Sequence, residues 1–344
     1  MRKYRIAVIP GDGVGPEIVS EAIRLLNEAG FNAEYIYINA GLKYYEKTGK
    51  TIEDNALDII READAALKGP IATPVGPGTY ASVNVFLRKN LDLYANIRPF
   101  RSWRGISIRE NVNVVLIREN LEGLYSGIEV RAENVTIALR IITKNETFRI
   151  CRFAFDYAKK NNRRKVTIVH KANILKVTDG LFRQVFYEVA KEYPELEGDE
   201  VIVDAAAYKL VKRPHEFDVL VTPNLYGDIL SDLIAGLIGG LGLCGSAQIG
   251  DNYAIFEPIH GVAWKYAGKG IANPIGEVTA ATLMLRWLAE RRQDKSIHNI
   301  AVNIDQAVKK VVEEKRILTP DLGGNASTRK VIDEVISELK NFIK

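Results

Sequence analysis

Tyr4-Arg-Ile-Ala-Val-Ile-Pro-Gly-Asp-Gly-Val-Gly-Pro-Glu17 decides how the chain begins to fold. Residues 4–10 are an apolar run of strand length, 11–15 form a glycine-rich turn, and apolar residues then recur at 18, 22, 25, 26 and 29 before Gly30. That spacing draws one apolar stripe along a helix, and the glycine stops it. Strand, turn and helix in this order open an α/β protein. The same stretch imitates a dinucleotide fingerprint, with Glu34 about 20 residues on. Pro16, however, stands where that motif needs a third small residue, and Glu34 precedes the apolar core of the second strand. A structural turn with proline at the first helical position is the stronger reading.

Working outward, 31–38 alternates as a strand, 55–63 is helical and 65–67 is a third short strand. Directly after it, residues 69–78 hold Pro70, Pro74 and Pro77 among glycines, and loops at the carboxyl ends of such strands carry ligand sites. Strands follow at 112–117, 166–169, 201–203 and 219–221, with helices near 146–160, 179–192 and 227–238. Residues 129–143 alternate Val, Ile and Leu with polar residues, which predicts an extended arm or hairpin.

Composition narrows the function classes. The 344 residues are enough for about two domains. Lys+Arg number 47 against 43 Asp+Glu, and the one basic cluster, 159–165, ends a helix where cations belong. Lacking a wider basic footprint, the chain is not expected to bind nucleic acid. The apolar run after Met1-Arg2-Lys3 is too short for a signal peptide, which points to the cytoplasm. No residue between Asp232 and Asp251 is charged, but six glycines with Ser246 and Gln248 make this a buried Gly-rich segment, so no membrane partner is expected. Cys151 and Cys244 stand far apart and are expected as reduced thiols. The four histidines lack ligand spacing, so any metal must rest on oxygen.

The strongest local signal is Asn224-Leu-Tyr-Gly-Asp-Ile-Leu-Ser-Asp232. Asp228 and Asp232, four apart on a helix, share one face, and two like charges there are best tolerated around a hard cation such as Mg²⁺ or Mn²⁺. Arg88, Arg98 and Arg118 lie beside apolar residues; if they converge, their forks suit a substrate with two or three carboxylates. Tyr125, and Lys171 after a buried-looking strand, are candidate proton-transfer groups, and burial or nearby cations could lower the lysine toward general-base use.

In this order the residues resemble the metal-dependent β-hydroxyacid oxidative decarboxylases, the isocitrate, homoisocitrate and 3-isopropylmalate dehydrogenases. The matching pieces are 9–17, 87–99, Ile117-Arg-Glu-Asn120, His170-Lys-Ala-Asn173, 224–232, His260-Gly261 and Asp321-Leu-Gly-Gly-Asn325, which span nearly the whole chain. The resemblance implies two open α/β domains around a central cleft, not a Rossmann fold. A cofactor-binding domain would comprise 1–98 plus 250–344, and a dimerisation domain 99–249, with the arm at 129–143 reaching a partner in a homodimer or tetramer.

Carried over position by position, Arg88, Arg98 and Arg118 look like the substrate-carboxylate clamp. Asp228 and Asp232, with Asp204 from the second subunit, look like the Mg²⁺ or Mn²⁺ ligands. Lys171 and Asn173 would also cross the interface, Lys171 taking the hydroxyl proton and Tyr125 protonating the carbon that loses CO₂. Ser82 and Asn84 stand where isocitrate enzymes bind the third carboxylate and isopropylmalate enzymes present leucines, so isocitrate is favoured, with homoisocitrate as competitor and 3-isopropylmalate behind it. Thr73, His260, Gly261, Asn273 and Asp321 are implied as cofactor contacts. Lys265 and Tyr266 match the pair that holds the 2′-phosphate of NADP, and Arg213 falls where it could reach that phosphate. Pro320 and Gly324 replace a Tyr and Arg of some NADP enzymes, and Trp264 departs from the usual Pro, so NAD use stays open. A non-catalytic regulatory subunit is disfavoured because Tyr125, Lys171 and all three aspartates are present.

Overall fold

A computed structural model describes residues 2–76 and 78–342; Pro77 of the proline-rich loop, Met1, Ile343 and Lys344 lie outside the description. The chain opens with β1 (Tyr4–Ile9), α1 (Gly15–Glu28), β2 (Ala33–Tyr37), α2 (Leu42–Thr48), α3 (Ala56–Glu62), β3 (Ala65–Lys68) and α4 (Val83–Asn90). The middle holds β4 (Ala95–Arg101), β5 (Asn113–Glu119), the hairpin β6 (Glu129–Ala132) and β7 (Val135–Ala138), α5 (Lys144–Lys160), β8 (Lys165–His170) and α6 (Thr178–Ala190). Then come β9 (Glu197–Ile202), α7 (Val203–Lys212), β10 (Val219–Thr222), α8 (Asn224–Ile238), β11 (Gly245–Ile249) and β12 (Ala254–Pro258), and the chain closes with α9 (Ile275–Arg292), α10 (Lys295–Glu313) and α11 (Thr328–Phe342).

Ten strands form one mixed sheet in the order β2-β1-β3-β12-β11-β4-β5-β10-β8-β9. Each wing is parallel, as βα crossovers require. At the centre, β11 and β4 pair antiparallel with each other and with their neighbours, so the two wings run in opposite senses. The boundary at 98/99 falls inside β4, and 249/250 lies at the end of β11. A strand pair rather than a free linker therefore joins the halves.

The glycine turn is a knot. Gly11 and Gly13 have φ of +73° and +60°, and a Cβ on either would lie 2.2 Å from the Pro70 carbonyl oxygen or 1.9 Å from that of Val262. Asp12, buried, accepts the Leu42 and Ala72 amides at 2.9 Å. The turn thus pins three loops, and Pro16 is the second residue of α1, which begins one residue earlier than expected, at Gly15.

One strand boundary is corrected. Val203 begins α7 instead of ending a strand, because the chain turns helical directly after β9. The uncharged stretch 232–251 is largely buried, as expected, and divides into two elements: α8 stops at Gly239 and Gly240, whose φ values of +123° and +129° break the helix, and β11 follows. No helix among the described residues is long and apolar enough to cross a membrane. Cys151 and Cys244 are both buried and unpaired.

Candidate active site

Side chains alternate across a strand, so register decides which residues share a face. Asn96 on β4 faces Arg118 on β5 and Gln248 on β11, and Ser246 faces Glu257 on β12. Arg98 lies two residues beyond Asn96, and Lys68 continues the β3 register beside Glu257. One face of the sheet centre thus carries a polar row across β3, β12, β11, β4 and β5, and every member is buried. Lys68, Asn96, Gln248 and Glu257 escape a sequence reading because the short strands that carry them look like featureless apolar segments. The period-two pattern Ser246-Ala-Gln248 beside Glu257 was the available signal.

Buried polar groups need partners, and these are tightly linked. Glu257 pairs with Lys68 and accepts from Gln248. Arg88 donates to the Gln248 carbonyl at 2.6 Å, and Asn120 donates to the same oxygen at 3.0 Å. Arg98 reaches Ser231 at 2.5 Å, while Arg118 grips the Asn224 side chain at 2.7 Å and Asp228 at 2.5 Å. Tyr125 donates to the other oxygen of Asp228 at 2.5 Å. Burial, with the neighbouring Arg118 charge, pushes Arg88 and Arg98 down to about 10. Burial alone would raise Asp228, but Arg118 and Arg98 outweigh it and hold the carboxyl below its usual range. Burial raises Tyr125, keeping its hydroxyl protonated despite Arg118.

Ser82, Asn84, Arg88, Arg98, Arg118, Tyr125 and Asp228 converge on one cavity of about 210 Å³, closed by Glu257, His260 and Gly261. Ser82 caps α4 through the Val85 amide, and Thr73 donates to its hydroxyl at 3.3 Å. Asn84 Oδ1 is shielded from solvent and has no hydrogen-bond partner. His260 also borders a second cavity of about 140 Å³ with Val14, Gly242, Tyr266, Asn273 and Asp321. Asn273 donates to Asp321 at 3.0 Å, and the Lys265 ammonium sits 5.7 Å from the Tyr266 ring centre.

Lys171, Asn173, Asp204 and Arg213 border neither cavity. Lys171, just past the end of β8, forms an ion pair with Asp204 at the start of α7, so the charge beside it is an anion. Asn173 is exposed, and Arg213, past the end of α7, pairs with Glu216 at 3.2 Å. Around them the surface is apolar: Ile174, Val177 and Ile229 are exposed, as are Val130, Val135, Ile137 and Leu139 of the hairpin.

The donor set at α8 fits a divalent cation. Partial burial raises Asp232, and the Asp228 charge raises it further, so both carboxylates ionise together most readily around a hard positive charge. Among the described residues no three acidic, His or Cys side chains of one chain form a metal cage, so two aspartates are what a single chain offers.

A doubly open α/β sheet with an arginine-walled, carboxylate-bearing cleft beside a second, less polar pocket defines a small-molecule enzyme acting on acidic substrates. The chain belongs to the isocitrate/isopropylmalate dehydrogenase family, whose model matches residues 5–335. It is 45% identical over 336 residues to a 3-isopropylmalate dehydrogenase of Archaeoglobus fulgidus, covering 97% of this chain and 99% of the relative. It is 43% identical to a homoisocitrate dehydrogenase of Methanocaldococcus jannaschii, covering 99% of each. The crystal structure of isocitrate dehydrogenase from Methylococcus capsulatus superposes with a TM-score of 0.93 at 45% identity, covering 98% of this chain and 99% of that one. Oxidative decarboxylation of a β-hydroxyacid with NAD(P) and a divalent metal is general to the family.

Proposed function

We propose that the protein oxidises and decarboxylates isocitrate to 2-oxoglutarate with NADP⁺, a step of the tricarboxylic acid cycle, as a homodimer whose sites are shared. The observation that supports this substrate is the polar wall that Ser82 and Asn84 add to the arginine-lined cavity. An alkyl group such as that of isopropylmalate leaves this wall without a polar partner, whereas a third carboxylate can accept from the Asn84 Nδ2–H and the Ser82 hydroxyl, and such mismatches discriminate strongly. Relatives of comparable identity carry all three substrate names, so the wall of the pocket is the better guide. Homoisocitrate, one methylene longer, is the competing substrate, since one methylene is worth only about 1–3 kcal/mol.

In the proposed site Arg88, Arg98 and Arg118 clamp the carboxylates, and Ser82 and Asn84 receive the third. Asn173, supplied by the partner protomer, adds a polar contact. Thr73, His260, Gly261, Asn273 and Asp321 hold the nucleotide, and Lys265 and Tyr266, with Arg213 from the partner, take its 2′-phosphate. NADP⁺ would supply the hydride acceptor, and Asp228 and Asp232, with Asp204 of the partner subunit, would hold Mg²⁺ or Mn²⁺, which would supply the positive charge that polarises the substrate oxygens. Lys171 of the partner subunit, once it has left Asp204 and given up a proton to solvent, receives the hydroxyl proton as a neutral amine. Tyr125, protonated and oriented by Asp228, delivers a proton to the carbon that CO₂ leaves. Residues 1–98 plus 250–344 form the nucleotide half and 99–249 the dimerisation half, with the β6–β7 hairpin and the face around Ile229 buried between protomers.

Initial rates with isocitrate, homoisocitrate and 3-isopropylmalate, each with NAD⁺ and NADP⁺ and with Mg²⁺ or chelator, test the assignment. Isocitrate with NADP⁺ is expected to give the highest kcat/KM. A higher value for homoisocitrate or isopropylmalate refutes the substrate, and a higher value with NAD⁺ refutes the cofactor.

A further inference from the structure

Behind the substrate row, on the opposite side of the sheet centre, lies a cavity of about 290 Å³. Arg101 lies three residues beyond Arg98 on β4, and strand alternation sends it to the other face; its register partner Asn113 on β5 lines the cavity with it. Tyr157 of α5 closes one side, and Arg286 of α9 and Asp305 of α10 close the other, so the cavity is built by both halves of the molecule.

Three arginines line it, and two are committed. Arg163 binds Asp218 at 2.8 Å and the Asn113 side chain at 2.8 Å, and Arg286 pairs with Asp305. Arg101 has no ion pair among the described residues, and its guanidinium carbon rests 4.3 Å from the centre of the Trp103 ring. Trp103 also lines the cavity and is only 3% exposed, yet its Nε1–H is buried without an acceptor. A buried N–H without a partner is destabilising and rare in native folds, so its persistence beside an uncommitted guanidinium points to a missing acceptor. Arg101 is itself exposed, so an anion placed there gains from its charge and its fork of donors. Ile238, Leu243 and Leu283 supply an apolar wall.

We infer that this back cavity binds a small organic anion, its carboxylate or phosphate head on Arg101 and the Trp103 N–H, its apolar body against Leu243 and Leu283. An occupant touches elements of both halves at once, so it biases their relative movement without entering the substrate cleft. The inference stands independently of which hydroxy acid the enzyme oxidises.

Isothermal titration of the full-length protein with phenyl phosphate and, separately, with phenylacetate tests it, the two arms telling a phosphate head from a carboxylate head. Binding tighter than about 1 mM by at least one probe is expected. Arg101→Leu should weaken it roughly tenfold or more, and Trp103→Phe, which keeps shape and removes only the N–H, severalfold. Ser82→Asp retains the α4 cap and places a negative charge in the substrate cavity, so it should leave the probe's affinity unchanged. No binding by either probe overturns the inference, as does binding that Trp103→Phe and Arg101→Leu leave untouched or that Ser82→Asp abolishes.

Discussion

Two groups of functional side chains differ in how the chain holds them. Arg88, Arg98, Arg118 and Asp228 stand on a sheet face and two helices, locked by hydrogen bonds among buried partners. Lys171 and Asp204 stand at a strand end and a helix start, in a partly exposed ion pair beside an uncovered apolar surface. A fixed anion clamp can be built by one chain because its polar groups satisfy each other. Lys171 and Asp204, in contrast, satisfy only each other, and in the proposed dimer a second protomer would have to displace that pairing before either could act.

Mixing lesions breaks or confirms this contrast most sharply. Lys171→Met and Asp228→Asn should each lower kcat by about 10²–10⁴-fold. Co-expressed with separable tags, the two variants should form mixed dimers with one intact site apiece; mixed dimers as inactive as the parents would place both residues in one chain's site. Next in size is Arg118→Leu, which leaves the Asn224 and Asp228 oxygens without their buried donor and should destabilise the fold by about 3–5 kcal/mol in urea unfolding. Glu277, on the first turn of α9 near Lys68 and Glu257, tests the strain beneath the locked cluster. Its carboxyl is fully buried and unpartnered, and burial holds it protonated well above its ordinary 4.5. The unfolded chain ionises first, so stability falls as pH rises above that ordinary value, by up to about 1.4 kcal/mol per pH unit. Glu277→Gln should therefore match the parent near about pH 4 and exceed it at about pH 7, whereas parallel stability curves would remove the strain. The smallest effect on stability belongs to Asp204→Asn, which should leave the melting temperature unchanged while lowering metal-dependent turnover; a clear drop in melting temperature would make the exposed pair structural.

Much of the first wing could be read from periodicity, because β1, α1 and β3 carry clear patterns, and the hairpin at 129–143 did too. Asp228 and Asp232 betrayed themselves by helical spacing. The arginines were visible only as candidates, since their convergence depends on the register of β4 against β5, which no local pattern states. Lys68 and Glu257 stayed hidden because each is the lone charge on a short apolar strand, and Gln248 because the period-two stretch Ser246-Ala-Gln248 is too short to mark a face. α9 was equally opaque: buried on most sides, it presents no single apolar stripe. α10 and α11, in contrast, carry ordinary amphipathic stripes.

The odd spacing between Arg98 and Arg101 has an evolutionary corollary. Point substitutions along β4 alter one face at a time, but insertion or deletion of a single codon between 95 and 101 would turn part of the strand inside out, presenting front residues to the back cavity and back residues to the cleft. This heptapeptide can therefore drift in letters but not in length, and descendants should keep its length even where their substrates diverge.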